Sequence, residues 1–474
     1  VACVLFGMRS LHCAALALIV FSACRARGAR PATAAPDDAS CAAPAAAVSR
    51  AAEPAGDGAA VFDSAWTIVR RSHWDTTFNG VDWTAVRTQL RPRAAAARTR
   101  GELRGVLSEM VSRLGQSHFS IIPQEVANAS AAPATSAAAA PAGPAGTPGF
   151  ELRLLDGHLV VASVDSAGPA WAEGVRTGWL LEAVDGCALA PRLARLPKHK
   201  DPRLTSLDAY RLGMVAISGV SGSGRRYAFR DGSGQSITTA LTLVPTPGTI
   251  TKFGNLPPVS AHLTWSRLRR DGRTIGVIRF NLWMPVLASA FDAAIDSLRG
   301  ADAILIDLRG NFGGVGGMAL GIGGHFLDSA KSLGTMVQRG SEMRFLANPR
   351  RSTAAGRAVQ PFAGPLALVV DELSVSTSEI FAGGMQAVGR ARVFGNTTAG
   401  QALPSIPEPL PNGDILYHAI ADFLGPSGKP IEGPGVRPDQ LVPLTRRALL
   451  AGRDPAADAA LTWLLTVAPR RVTP

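Results

Sequence analysis

The sequence predicts a mixed α/β protein: a helical unit first, a small β domain next, and a larger α/β layer behind. Three observations carry that expectation. Apolar residues recur at helical three-four spacing in "VFDSAWTIVRRSHW" and "TRGELRGVLSEMVSRLG". Alternating strands, a Pro-led short helix from Pro169 and Gly-marked turns fill "GFELRLLDGHLVVASVDSAGPAWAEGVRTGWLLEAVDG". From about Leu263, the strands "TIGVIRF", "ADAILIDLRG" and "LALVVDE" alternate with the helical patterns "FDAAIDSLR" and "EIFAGGMQAVG", the mark of an α/β layer. With 474 residues, 46% hydrophobic and 18% charged, there is chain enough for two or three domains, each with its own core.

The elements follow in order. "MRSLHCAALALIVFSAC" has Arg9 as its positive flank and an apolar run, Cys13 to Phe21, too short to span a bilayer, so residues 1–24 read as a secretory signal with Met8 as its natural start. "FSAC" resembles a bacterial lipobox with Phe21 in the usual leucine position, and offers Cys24 for lipidation. Residues 25–58, rich in Ala, Pro and Gly, read as a disordered tether. A helical domain over 59–125, a Pro- and Gly-rich linker over 126–148, the β domain over 149–247 and the α/β layer over 248–474 complete the expected organisation.

Composition excludes several classes of function. The formal charge is +12 and the pI near 10.3, but the arginines are scattered in pairs such as "RRSHW", "LRRDGR" and "RRALL". No basic stripe interleaved with aromatics exists for nucleic acid to stack on. Of five cysteines, Cys3, Cys13 and Cys24 belong to the leader, leaving Cys41 and Cys187. No CxxC or Cys/His spacing points to zinc, nor do the cysteines form a disulfide framework, and no metal or organic cofactor is expected.

Two stretches carry chemistry. "DELSVSTSEIFAGG" places Ser374, Ser376 and Ser378 in a short turn between an apolar strand and a helix, where a hydrolase exposes a nucleophile. "ILIDLRGNFGGVGGMA" has two readings. Gly314-x-Gly316-x-x-Ala319, with Asp328 as ribose partner, mimics a dinucleotide fingerprint. Against it, Asp307, Arg309 and Asn311 separate the strand from the glycines, and "LGIGGHFLD" is too glycine-rich for a good helix. Alternatively, Gly313 and Gly314 let backbone N–H groups approach a reacting carbonyl.

The middle segment resembles a PDZ domain in its Asp156-Gly157 turn, "GPAWAEGVRTGW" and "LLEAVDG". That resemblance places Gly149, Phe150, Glu151 and Leu152 where such domains cradle a peptide carboxylate and add a chain as a strand. "DLRGNFGG", "VDELSVSTSEIFAGGMQAVGRARVFGNTTAG" and "KPIEGPGVRPD", with "FNGVDWTAVR" and "IGVIRFNLWM", together resemble the C-terminal-processing or tail-specific serine proteases, which include the tricorn protease core. The resemblance runs from Val61 to about Val442 and implies a crotonase- or Clp-protease-like α/β catalytic domain.

It implies Ser376 as the attacking serine. Ser374 and Ser378 then read as turn residues, and Glu379 as a favourable first-turn charge. Many relatives use a lysine twenty-five residues later as base, but that position is Gln401 here, and glutamine takes no proton usefully. The tricorn-like branch supplies another base. It resembles "LGQSHFS" and "IEGPGVRPD", implying a Ser-His-Ser-Glu tetrad of Ser376, His118, Ser117 and Glu432, with Thr377 and Gly313 or Gly314 holding the oxyanion. The expectation is an exported serine endopeptidase of the bacterial cell envelope, periplasmic or lipid-anchored, cutting unfolded or C-terminal polypeptide segments. Acid is expected to silence it near the ordinary histidine pKa of about 6.5. The alternatives are an inactive family member that binds peptides or hydrophobic ligands, with Gln401 as the first sign of loss, and a nucleotide enzyme.

Overall fold

The structure, a computed structural model, describes residues 52–127 and 144–468. The signal, the lipobox and most of the tether and linker lie outside the described residues. The front unit is three helices, α1 (Gly58–Ser72), α2 (Trp83–Ala96) and α3 (Arg100–Ser112). Each has a short polar N-cap: Asp57 Oδ1 accepts from Ala60 N, Asp82 from Ala85 N, and Thr99 Oγ1 from Glu102 N. Their apolar stripes meet in one core of Phe62, Leu90, Leu103, Leu107 and Met110.

Both expected spacers are shorter than the composition suggested. Ala55 is buried and Pro54 bridges to Thr99, so residues 54 and 55 dock on the front unit. At the linker's far end, residues 145–147 already form a strand. Small apolar side chains that read as spacer carry just enough burial to dock.

The front unit is also not closed on itself. Strand β1 (Ser120–Ile122) pairs antiparallel with a strand about three hundred residues later, and Leu410 and Leu416 of that later hairpin enter the helical core.

The small domain holds strands β2 (Phe150–Leu155), β3 (His158–Val164), β4 (Leu180–Val184), β5 (Gly224–Arg230) and β6 (Ser236–Thr242), paired in that order, so β2 is an edge. Asp156 and Gly157 both take positive φ in the β2–β3 turn, as a two-residue hairpin requires. A helix that the sequence reading passed over, α4 (Pro202–Ile217), packs across β2, with Gly213 against Leu152 and Leu159. Cys187 is disulfide-bonded, although no disulfide framework was expected.

The large layer is a six-stranded sheet in the spatial order β7 (Leu263–Arg270), β8 (Arg273–Phe280), β9 (Ala303–Asp307), β11 (Leu366–Val370), β12 (Arg392–Gly395) and β15 (Gln440–Leu441). Only the β7–β8 pair is antiparallel. Every residue of β9 and β11 is buried, because helices cover both faces of the parallel part. On one face lie α5 (Ala288–Leu298), α6 (Gly317–Gly323) and α7 (Thr377–Ala387) over the core of Trp283, Phe291 and Phe381. On the other lies the last helix, α8 (Pro455–Val467). The strand β10 (Lys331–Gln338) packs on α7. The segment after the glycines is helical over residues 317–323, contrary to the sequence expectation, and stops where Gly323 and Gly324 follow one another. The hairpin β13 (Ser405–Pro409) and β14 (Ile415–Ala419) receives β1 on its open edge, Ser120 opposite Tyr417.

Candidate active site

Hydrogen bonds separate the three serines. Ser374 is fully buried; its hydroxyl donates to Leu308 O (2.8 Å) and accepts from Asp371 N (3.0 Å). Ser378 Oγ accepts from Trp283 Nε1 (2.8 Å) and donates to Asn311 O (3.0 Å). Both hydroxyls fasten the turn. Ser376, at the mouth of α7, sits at φ 58°, ψ −117°, a strained conformation that a non-glycine residue adopts only where its surroundings enforce it.

The second group comes from the far ends of the chain. His118, itself at φ 61°, lies in the loop between α3 and β1, where the β1–β14 pairing sets its ring 5.9 Å from that of Tyr417. Ser117 Oγ is 2.7 Å from His118 Nδ1 and donates to Glu432 Oε2 at 2.9 Å, while Ser117 N donates to Glu432 Oε1 at 2.9 Å. A hydroxyl that donates to the carboxylate must accept from the ring, so Nδ1 carries the hydrogen and Nε2 keeps its lone pair. Burial, helped by the Arg211 charge, pushes His118 down to about 4, and burial raises Glu432 above the usual carboxylate range. An imidazole drawn away from water resists charging, so His118 itself is expected to be protonated below the ordinary histidine value of about 6.5. Among the described residues, no hydrogen bond yet joins His118 to Ser376.

Of the two glycines, the geometry favours one as an oxyanion donor. Gly313, at φ 82°, abuts Ser376 so closely that a Cβ would stand 2.7 Å from that of Ser376, but its N–H is committed to Asn311 Oδ1 at 3.0 Å. Gly314, at φ 143°, is pinned between Trp283 and Val315, and its carbonyl accepts from Thr377 Oγ1 at 2.9 Å. The N–H groups of Gly314 and Thr377 have no hydrogen-bond partner among the described residues. These glycines flank the turn that carries Ser376. The dinucleotide reading has no independent support here, since Asp328 is exposed and hydrogen-bonded by Ser329.

Glu379 is more than a first-turn charge. It is fully buried, and its carboxylate accepts from Thr398 Oγ1 (2.6 Å), Gly400 N (2.7 Å), Ser376 N (3.0 Å) and Gln401 N (3.0 Å). Gln401 supplies backbone to the site: its carbonyl also accepts from Ser376 N at 2.9 Å. The "TTAG" motif was the available signal for this arrangement. No group of three or more His, Cys, Asp or Glu among the described residues is placed to hold a metal ion.

The small domain leans on this turn. Phe150 and Leu152 point into its own core, whereas Glu151 binds Arg279 (2.8 Å) and Arg153 binds Asp371 (2.9 Å). Gly149 departs from the expected open cradle, since its N–H goes to Thr147 Oγ1 at 3.2 Å. From α4, Arg203 donates to Thr398 O (2.7 Å) and Gly433 O (2.7 Å), and Tyr210 meets Phe312 ring to ring at 5.3 Å. Leu207 packs with Leu373 and Val375. None of these contacts was readable from spacing, because none joins neighbouring residues.

Comparison with known proteins adds to the geometry. The peptidase family S41 profile matches residues 274–442, and the tricorn protease C1 domain profile matches residues 54–112. The chloroplastic carboxyl-terminal-processing peptidase 3 of Arabidopsis thaliana is 26% identical over 381 residues, spanning 79% of this chain and 67% of that protein. A carboxyl-terminal-processing protease of Synechocystis sp. is 25% identical over 381 residues, 80% and 79% of the two chains. Among solved structures, the photosystem II D1 C-terminal processing protease superposes with a TM-score of 0.55 at 21% identity, over 87% of this chain and 99% of that one. Mature CPAF gives 0.58 at 12% identity, over 88% and 99%. Both of these structural likenesses speak for the fold.

Proposed function

We propose that this chain, a serine peptidase acting on polypeptides whose residues 274–442 match the peptidase family S41 profile, is an exported endopeptidase working through Ser376, His118, Ser117 and Glu432. The observation that carries the reading is the Ser117 hydroxyl bridging His118 Nδ1 and Glu432. His118 Nε2 takes the proton of Ser376 as its oxygen attacks the scissile carbonyl. The N–H groups of Thr377 and Gly314 receive the developing oxyanion. The imidazolium then protonates the leaving amine, and a water, activated by the same nitrogen, frees Ser376 from the acyl group. Glu432, acting through Ser117, holds the tautomer and stabilises the charged ring.

Substrates are unfolded chains or free carboxyl ends, added along the β2 edge of the small domain and delivered to the adjoining turn. The relatives' names as carboxyl-terminal-processing enzymes support that choice. Export is supported by the leader and by the disulfide at Cys187, since such bonds persist in oxidising compartments. No helix among the described residues is long and apolar enough to cross a membrane, and attachment is proposed only through lipid at Cys24.

The test is degradation of an unstructured protein at neutral pH, comparing the parent with Ser376→Ala and His118→Ala. Cleavage by the parent and its loss in both variants is expected. Folded but silent parent protein that still binds peptide would instead support the inactive binding protein.

A further inference from the structure

Residues 398–402 run between the two acids of the site. At one end, Glu379 takes hydrogen bonds from Thr398 Oγ1, Gly400 N and Gln401 N; at the other, Ala402 N donates to Glu432 Oε2 at 2.9 Å. Gly433 N donates to Gly400 O (2.9 Å) and Val436 N to Thr398 Oγ1 (2.7 Å), fixing the same segment to the loop that carries Glu432. Glu379 also holds the amide of Ser376. One five-residue segment thus spaces the nucleophile from its base, and Glu379 fastens both the segment and the nucleophile. Relatives with a lysine at the Gln401 position have a side chain for a base there; this chain presents backbone on the carboxylate side.

We infer that Glu379 is a positioning residue that works as a buried anion, setting Ser376 against His118 through residues 398–402. The inference rests on the proposed roles of Ser376 and His118.

The hydrogen-bond pattern demands the anion. Four donors converge on Glu379, and Thr398 Oγ1, already accepting from Val436 N, must give its own hydrogen to the carboxylate. Protonating Glu379 would add a fifth hydrogen to a carboxyl that already faces four donors. Burial opposes the charge and pushes this carboxyl up to about 7 against the four donors.

Around it, the elements packed on α7 carry Lys331 on β10, Arg392 on β12, and Asp371 and Glu372 in the preceding turn. Arg437 lies beyond segment 398–402, Arg203 sits on the Thr398 carbonyl, and the His118–Ser117–Glu432 chain lies at the far end. None of these forms an ion pair with Glu379. Its titration is therefore governed by burial and by its donors, and it sits higher than that of His118.

Activity is then expected to fall on acidification in two steps, a first near pH 7 from Glu379 and a second near pH 4 from His118. The test is a pH profile of kcat and KM for an unstructured substrate, with the full chain and two variants. Glu379→Gln is expected to lower kcat at pH 8 by about tenfold to a hundredfold with KM little changed, and to abolish the step near 7. Thr398→Val, which removes one donor to the carboxylate and the acceptor of Val436 N, is expected to move that step upward by about half a unit to one unit, with activity at high pH lowered but measurable. A step that stays in place in Thr398→Val, or survives in Glu379→Gln, overturns the inference. Should Glu379→Gln fail to fold, Thr398→Val alone decides. Residual cleavage by Ser376→Ala would separately overturn the underlying assignment of the nucleophile.

Discussion

Ser374, Ser376 and Ser378 share a turn but not a task, and the difference lies in where each hydroxyl goes. The two flanking hydroxyls are enclosed and fully engaged, while the middle one projects from a backbone held at positive φ. Ser378→Ala strips the Trp283 indole of its acceptor, and the expected cost is about 1–3 kcal/mol in urea unfolding, with cleavage reduced far less than in Ser376→Ala. At this scale the sequence was informative for residues identified by type and neighbourhood: Ser376, the Ser117-His118 pair and Glu432 could all be named from motifs. It was silent on Glu379 as a hub and on the choice of Gly314 over Gly313. Those depend on which amides are already spoken for, and hydrogen-bond commitment leaves no trace in spacing.

Among elements, the β1–β14 pairing decides whether His118 reaches the site. It is braced by Arg104 of α3, whose guanidinium grips both Glu125 (2.7 Å) and the fully buried Asp414 (2.7 Å) in the turn of the β13–β14 hairpin. Asp414 also accepts from Gln124 N. Arg104→Met would leave a buried carboxylate unpaired, so the expected loss is about 3–5 kcal/mol of stability. A lower kcat should accompany it as the loop carrying His118 loosens, both read from denaturation and steady-state rates. Helices α1 and α3 and the strands of the large sheet were legible because their apolar periodicity is strong. Helix α4 was readable in principle, with Asp201 accepting from Arg203 N as its N-cap and Pro202 at its first position, but its mixed polarity hid it. The front unit's dependence on a distant hairpin was not legible, since single-chain periodicity says which face is apolar and not what covers it.

For the whole molecule, acid should be destabilising. Burial depresses His118, His262, His325 and His418, so the unfolded chain binds more protons once the pH drops below about 6.5, and stability falls from there downward. Asp307, held down to about 2 by Arg309 and Arg279 despite burial, and Asp414, held down by Arg104, add losses below about 4. Glu379 and Glu432 are raised and work the other way between about pH 7 and 4.5. The thermal midpoint is therefore expected to decline gently from pH 7 to 5 and steeply below 4.5, as calorimetry across that range would show. A midpoint that rises on acidification would mean that the raised carboxyls outweigh the depressed histidines.

The pairing of β1 with β14 has a further consequence in time. His118 emerges early in synthesis, Ser376 much later, and the hairpin and Glu432 that orient the base later still. A growing or threaded chain therefore contains a nucleophile turn without a working base until residues past 432 have arrived and folded back onto the front helices. With Ser376 and His118 in the roles proposed above, the order of the sequence itself delays proteolysis by an incomplete molecule.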